Sequence, residues 1–544
     1  MLPRLTLPPS GAALAVLAAA FILPGLAGHD LWKTQDAIGL GVVHGMAVSG
    51  DIIVPRIAGE LWLYDQPLYH WFALAFGKLL GWLLEFHAAA RLASGAFVAA
   101  AFALLYAAAR EWSDAETRRT TASAALLILL GCIGLLVHSH EALPELASLA
   151  AVSGGLAALP HAATRPLRAG LAFGVALGLA FLAATWIAPL ALAVAVVAAH
   201  LVCPEWRTRA ALPFLATACA AAVVVALTWP LALALRSPEA FGAWRAFLLQ
   251  PDGGVGENLR HFLSTASWFT WPAWPLALWS AWSLRRRWRE ARLFVPALAA
   301  AVMAALFVAW GPPQDENLIP LLAPLSLLAA FGVFTLRRGA IAALDWFGVL
   351  TFAMFAGLVW LGYIAMLTGL PAPVARNFGR IAPGFVAHLQ PLAMLFALLL
   401  AAVWIYLVFF TPSSPLRSVA RWAVGVVLLW GTFAMLWMPW VDYQKSYRSV
   451  ALQLKSKLPV GAPCLAQRSL GVSQAAALDY HGGIRTQPFD VVKPTACPLV
   501  LVQGSPKHEL DAPASTGTTR WTKLADVGRP GDRAERYRLY RLEK

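Results

Sequence analysis

The chain has 544 residues, 59% of them hydrophobic and only 13% charged, with a mean hydropathy of +0.65. Soluble domains hold about 45–50% apolar and about 25% charged residues, so secreted enzymes, cytosolic enzymes and disordered scaffolds are excluded. The net charge of +14, from 42 Lys and Arg against 28 Asp and Glu, fits a polytopic membrane protein with basic loops on one side. Nucleic acid is not an expected partner; membrane lipid is.

A helix needs about 20 apolar residues to cross a bilayer. The first run, 11–27, follows Arg4 and reads as an uncleaved helix with its N-terminus in the cytoplasm. Twelve more lie near 92–109, 121–137, 146–163, 169–184, 187–202, 210–235, 265–284, 293–310, 318–336, 340–369, 389–410 and 422–439. Alternating sides put Arg110, Arg118 and Arg119, Arg165 and Arg168, Arg207 and Arg209, Arg285–Arg287, Arg337 and Arg338, and Arg417 and Arg421 inside, as the positive-inside rule asks. This predicts thirteen spans. Segment 67–86 would invert every later loop if it crossed, so it is expected to lie at the membrane face, as is the run Val42–Val48. Residues 1–439 thus form an all-α membrane domain. Residues 440–544 lose the apolar runs and carry short strand-like stretches at Cys497–Gln503 and Tyr537–Leu542, predicting a small α/β domain outside. An oxidising compartment would permit Cys464 to pair with Cys497, and the sequence leaves that pairing open.

On this map the outer side holds three polar loops. The first, 28–91, carries Lys33, Asp36, Arg56, Gln66, Tyr69, His70 and Arg91; the second carries His138, His140, Glu141 and Glu145; the third runs 311–317. Ionisable residues at a membrane face are functional candidates. His and carboxylate are metal ligands, but the spacing in the second loop matches no zinc motif, so no metal or other cofactor is expected. Aromatic belts account for the tryptophans at helix ends, such as Trp268, Trp271 and Trp437. Arg529, Arg533, Arg536, Arg538 and Arg541 read as a solvated basic face.

The order of segments in the first loop is more specific. Gln35-Asp36 is followed by Ser49-Gly50-Asp51-Ile52-Ile53-Val54-Pro55 and then by Asp65-Gln66-Pro67-Leu68-Tyr69-His70-Trp71. This resembles the GT-C type membrane glycosyltransferases, in particular the family 39 protein O-mannosyltransferase-like proteins and the lipid A aminoarabinose transferases. The resemblance continues at Arg91-Leu92, Trp271-Pro272-Ala273-Trp274-Pro275 and Leu318-Ile319-Pro320. In that family an acidic pair precedes the SGD segment, and its first acid is catalytic. Counting back from Asp51 puts Gln35 at that position and Asp36 at the second. Gln66 and the single Pro67 stand where the family often has Lys and Pro-Pro.

The resemblance implies a polyprenyl-phosphate sugar donor, a lipid, glycan or protein acceptor, and a bacterial inner-membrane location with site and C-terminal domain facing the periplasm. Transfer by single displacement with inversion needs one carboxylate on the acceptor side and donors for the departing phosphate. Asp36 is the expected acid/base, with Glu145 orienting the acceptor. Lys33, Arg56, Gln66, Tyr69, His70, Arg91, His138, His140 and Glu141 are expected to bind substrate. Two other readings stay open: a transporter or flippase of a lipid-linked sugar, and a non-catalytic receptor or assembly factor on the same scaffold.

Overall fold

The computed structural model describes residues 9–543 except 249, 251–252, 312–313, 413, 460, 462–463, 490–496, 506–519 and 533. Arg4, Arg533, and Pro312 and Pro313 of the third loop lie outside the described residues.

Every predicted apolar run carries helix. α1 (Gly11–Ile22) starts at Ser10, whose hydroxyl accepts the Ala13 N–H at 3.1 Å, an N-cap that satisfies one of the helix's free donors. The first loop then folds into α2 (Gln35–Ser49), a two-strand hairpin of β1 (Arg56–Ile57) and β2 (Glu60–Leu61), and α3 (Leu68–Leu80). At 1.5 Å per residue, the 13 residues of α3 reach about 20 Å, short of the ~30 Å hydrocarbon core. Leu68, Ala73, Leu74 and Gly77 are buried while Phe72 and Leu79 are exposed, so α3 is a non-spanning helix, as expected.

The bundle continues through α4 (Phe86–Glu111), α5 (Arg118–Leu130), α6 (Leu135–His138), α7 (Pro144–Ala158), α8 (Pro166–Ala183), α9 (Ile187–Val202), α10 (Ala211–Ala226) and α11 (Thr228–Arg236). Next come α12 (Pro238–Leu248), α13 (Val255–Phe269), α14 (Ala273–Ser283), α15 (Ala291–Trp310) and α16 (Leu322–Gly332). The bundle closes with α17 (Arg338–Thr368), α18 (Ala372–Ile381), α19 (Pro391–Phe410) and α20 (Pro415–Leu436). Among the described residues, eight helical stretches are long and apolar enough to cross a membrane on their own. The other five predicted runs fall on shorter or interrupted helices: α1, α5 with α6, α7, α9, and α13 with α14. The chain is a multi-pass membrane protein.

After α20, α21 (Met438–Lys445) packs Met438 and Val441 against Trp32 and Trp430 of the membrane domain. The α/β layer follows: α22 (Arg448–Lys457), β3 (Ala466–Arg468), α23 (Val472–Gly482), β4 (Gln487–Pro488), β5 (Leu499–Gly504), β6 (Arg520–Val527) and β7 (Arg536–Glu543). The sheet order is β4-β3-β5-β7-β6, with β3 parallel to β4 and β5, and β7 antiparallel to β5 and β6. β5 is buried along Leu499–Val502, as a central strand covered on both faces should be. Cys464 and Cys497 are joined by a disulfide, their Cα atoms 5.5 Å apart.

α2 departs from a helix resting on a surface. Residues Asp36–Val43 are all buried, because α2 is sandwiched between the bundle and the C-terminal domain. Glycines permit this: a Cβ on Gly39 would sit 2.0 Å from the Ala142 carbonyl oxygen, and one on Gly41 2.7 Å from Ala476.

Candidate functional site

Three segments far apart in sequence meet beside α2: residues 62–66, residues 142–145 at the start of α7, and residues 314–317 before α16. They enclose a cavity of about 370 Å³ lined by Gln35, Trp62, Asp65, Glu145, Gln314 and Glu316. A second, of about 110 Å³, shares Tyr64, Asp65, Glu145 and Gln314 and adds Gln66, Trp186, Trp244, Phe247, Trp310 and Asn317. The two form one cleft with an acidic floor and aromatic walls. Tyr64 stands edge-on to Phe247 at 4.3 Å and lies 4.6 Å from Trp62.

The three carboxylates differ in their partners. Asp65 accepts the Trp62 indole N–H at 3.0 Å, yet burial pushes its carboxyl above the usual range. Glu145 is 6% exposed, and its Oε2 is buried without a hydrogen-bond partner. Glu316 accepts the Gln35 side-chain amide. Among the described residues lining the cleft there is no Lys, Arg or His. Like charges crowded in a low-dielectric cleft either share a proton or draw in a cation. Both behaviours suit a transferase: a shared proton supplies an acid/base group, and a cation supplies a substrate handle.

Asp36 lies elsewhere. It is fully buried, and both oxygens are taken. Oδ1 accepts Arg91 Nε at 3.0 Å and the Ala142 N–H at 2.9 Å, while Oδ2 accepts Arg91 Nη2 at 2.8 Å and the Trp32 N–H at 3.2 Å. Burial alone would raise its carboxyl, but the charge and hydrogen bonds of Arg91 hold it below the usual range. Arg91 is equally buried and directs its remaining donors to the carbonyls of Leu26, His29 and Asp30 at 3.1–3.3 Å. The pair ties α2 to α4, to the chain after α1 and to the second loop. Neither residue lines the cleft.

Of the other expected site residues, Gln66 lines the cleft, buried, with Oε1 unpartnered. Tyr69 is buried, its hydroxyl 2.7 Å from Ser94 Oγ, which donates to the Glu141 carbonyl. His70 is buried and burial lowers its pKa to about 4, so it carries no charge at neutral pH. Lys33 pairs with Glu535 at 2.7 Å, and Arg56 donates to the Gly59 carbonyl in the hairpin at 3.1 Å. His138 pairs with Glu141 at 2.8 Å. His140 stacks on Trp430 and bonds the Phe21 carbonyl at 2.8 Å. None of Lys33, Arg56, Tyr69, His70, His138, His140 or Glu141 lines the cleft.

The sequence singles out Gln35 only as the place of the family's acid and Glu316 only as part of the third loop, and it does not single out Asp65 or the wall of Trp186, Trp244, Phe247 and Trp310. Asp65 had a signal, immediately before Gln66-Pro67 in the quoted motif.

No family model matches the chain. An undecaprenyl phosphate-alpha-4-amino-4-deoxy-L-arabinose arabinosyl transferase of Pseudomonas aeruginosa (strain LESB58) is 27% identical over 480 residues, covering 84% of this chain and 81% of the relative. One of the same description from Sodalis glossinidius (strain morsitans) is 29% identical over 345 residues, 59% of each chain. The crystal structure of ArnT from Cupriavidus metallidurans bound to undecaprenyl phosphate superposes with a TM-score of 0.68 at 20% identity, covering 97% of this chain and 96% of that one. The chain has the ArnT fold. The expected resemblance to GT-C type membrane glycosyltransferases is borne out, as is the fold class of a helical membrane domain with a small C-terminal sheet domain.

Proposed function

We propose that this protein is an inner-membrane glycosyltransferase that moves a sugar from an undecaprenyl-phosphate donor to a lipid acceptor on the periplasmic side, and that the sugar bears an amino group. The observation that carries this reading is the cleft with three carboxylates and no cation among its described lining residues. A neutral sugar gives such a cleft nothing to neutralise; an ammonium group on the sugar does. The aromatic walls supply stacking surface for the pyranose ring. The relatives named above act, by their names, on an aminoarabinose carried by undecaprenyl phosphate.

In this reading Glu145, with its unpartnered oxygen, and Asp65 touch the substrate, one taking the acceptor proton while the other faces the amine. The amides of Gln35 and Gln314 donate to the departing phosphate without bringing a charge that would collapse onto the acids. Asp36 and Arg91 hold the first loop in register beneath them. An apolar groove of about 540 Å³ between α1 and α4, lined by Leu14, Ala18, Ile22, Leu92, Ala99 and Phe102, accommodates isoprenoid chain.

The test is transfer by the purified protein in nanodiscs from undecaprenyl-phosphate aminoarabinose and from its N-acetylated form, which lacks the charge. Transfer of the amine and at least tenfold less of the amide is expected. Equal use of both would remove the amino-sugar reading, and no transfer of either by well-folded protein would favour the non-catalytic scaffold.

A further inference from the structure

We infer that the opposite end of the bundle carries a binding site for the headgroup of an anionic glycerophospholipid, between α17, α19 and α20. The topology places it there. α16 descends from the cleft residues 314–317, so the start of α17 at Arg338 is at the far end. α20 rises to the C-terminal domain, so its start at Pro415 is at that far end too, beside the end of α19 at Phe410.

A cavity of about 670 Å³ opens there, with Arg338, Asp345, Arg417 and Arg421 among its lining and Trp346 and Phe409 at its flank. Three guanidiniums meet one carboxylate, leaving a formal surplus of two positive charges. Asp345 Oδ2 is shared between Arg417, at 2.5 Å, and Arg421, at 3.4 Å. Arg421 spends further donors on the carbonyls of Leu407 and Val408, and Arg417 spends one on Thr411. Arg417 Nε remains buried without a partner, and Arg338 is exposed and makes no ion pair among the described residues.

Guanidiniums 10–16% exposed at the edge of a hydrocarbon layer need counter-charge, since buried charge without pairing is costly. A phosphate matches the guanidinium fork, and the N-termini of α17 and α20 add partial positive charge on the same cavity. What makes the phosphate a lipid's is the flank. Trp346 is 66% and Phe409 75% exposed, so acyl chains descending from a headgroup held by the arginines would lie along them. Basic pockets between membrane helices are known to suit such headgroups.

The experiment places the intact protein in nanodiscs of phosphatidylcholine alone or with phosphatidylglycerol, and reads bound lipid by native mass spectrometry and Tm by unfolding. Phosphatidylglycerol should be retained selectively and should raise Tm. Arg338→Gln, which removes an exposed residue and leaves the fold intact, should weaken retention about fivefold, and Arg338→Gln with Arg421→Gln by a further similar factor. Equal retention of both lipids by wild type, or undiminished selectivity in Arg338→Gln, would overturn the site. An equal rise in Tm from inorganic phosphate in phosphatidylcholine discs would overturn the lipid assignment in favour of a soluble anion.

Discussion

The cleft acids and the Asp36–Arg91 pair lie against the same helix, α2, and treat charge in opposite ways. Asp36 accepts four hydrogen bonds, two of them from a guanidinium whose every nitrogen is also engaged. Glu145, in the segment whose Ala142 N–H bonds Asp36, is buried with an oxygen unpartnered. A carboxylate with all its lone pairs satisfied is a structural tie, because any substrate must first break bonds worth about 1.5–3 kcal/mol each. One left unsatisfied in a cleft is costly to the fold and is a candidate for meeting a substrate. Burial alone therefore does not mark a catalytic acid; Glu145 is set apart by an unpartnered oxygen in a cleft shared with two other acids.

The sharpest way to break this contrast is Glu145→Gln. If Glu145 is the acid/base, transfer should fall by about 10²- to 10⁴-fold, while Tm holds or rises because one of three mutually repelling acids has become neutral. A transfer assay with a parallel unfolding curve checks both. Unchanged transfer would move the role to Asp65, with Asp65→Asn as the next variant.

Asp36→Asn tests the other half. It leaves the Arg91 guanidinium buried beside a neutral group, and breaking a buried ion pair costs about 3–5 kcal/mol. The expected outcome is a lower Tm and poorer yield with the rate per folded molecule largely kept. A stable Asp36→Asn protein without transfer would instead return Asp36 to the chemistry.

Much of this was legible beforehand, and the part that was not has a physical reason. Apolar runs report spanning helices directly, so the bundle and the change to a C-terminal α/β domain followed from them, while the non-spanning α3 followed from the arginines of the later loops. The local motif likewise led to Gln35, Asp36 and Gln66, and to Arg91 at the far end of the first loop. What a linear pattern cannot carry is which side of α2 each residue faces once both sides are covered. Asp36 turns inward to Arg91, and Gln35, one residue earlier, turns to the cleft and Glu316. Glu316 and Glu145 are 171 residues apart in number and join only through the packing of α7 against the segment before α16.

Gly39→Ala probes the contact between the two regions. Its Cβ would meet the Ala142 carbonyl oxygen at 2.0 Å, and the yielding neighbour is backbone, so α2 and the second loop must separate. Overpacking of this kind costs about 1–3 kcal/mol. Since Ala142 binds Asp36 on one side and precedes Glu145 on the other, both Tm and transfer should drop together. A fall in Tm alone would show that the cleft is insulated from the tie beneath it.

The smallest expected effect concerns pH and the clamp between the first loop and the C-terminal domain. Asp30 bonds Arg448 at 2.6 Å and 3.1 Å, while Asp442 accepts the Asp30 N–H and the Trp32 indole N–H, each at 2.8 Å. The two acids are shifted in opposite directions. For Asp30, burial opposes ionisation, but the hydrogen bonds of Arg448 and Ser446 bring its pKa below the ordinary value of 3.8. Its contribution is therefore complete above pH ~4 and is lost as pH falls through the lowered folded value. For Asp442, burial is the larger influence and pushes the pKa to about 6. The folded state then binds the extra proton, so stability rises as pH falls from about 6 towards 4. The clamp should be tightest near pH 4–5, with changes of about 1–2 kcal/mol on either side, kept modest because Arg448 is 42% exposed. Hydrogen exchange of residues 448–457 across pH 3–7 reads this directly. Asp442→Asn should flatten the slope between pH 6 and 4, and Arg448→Gln the slope below 4. If both variants keep both slopes, the acids that close the C-terminal domain onto the loop lie elsewhere.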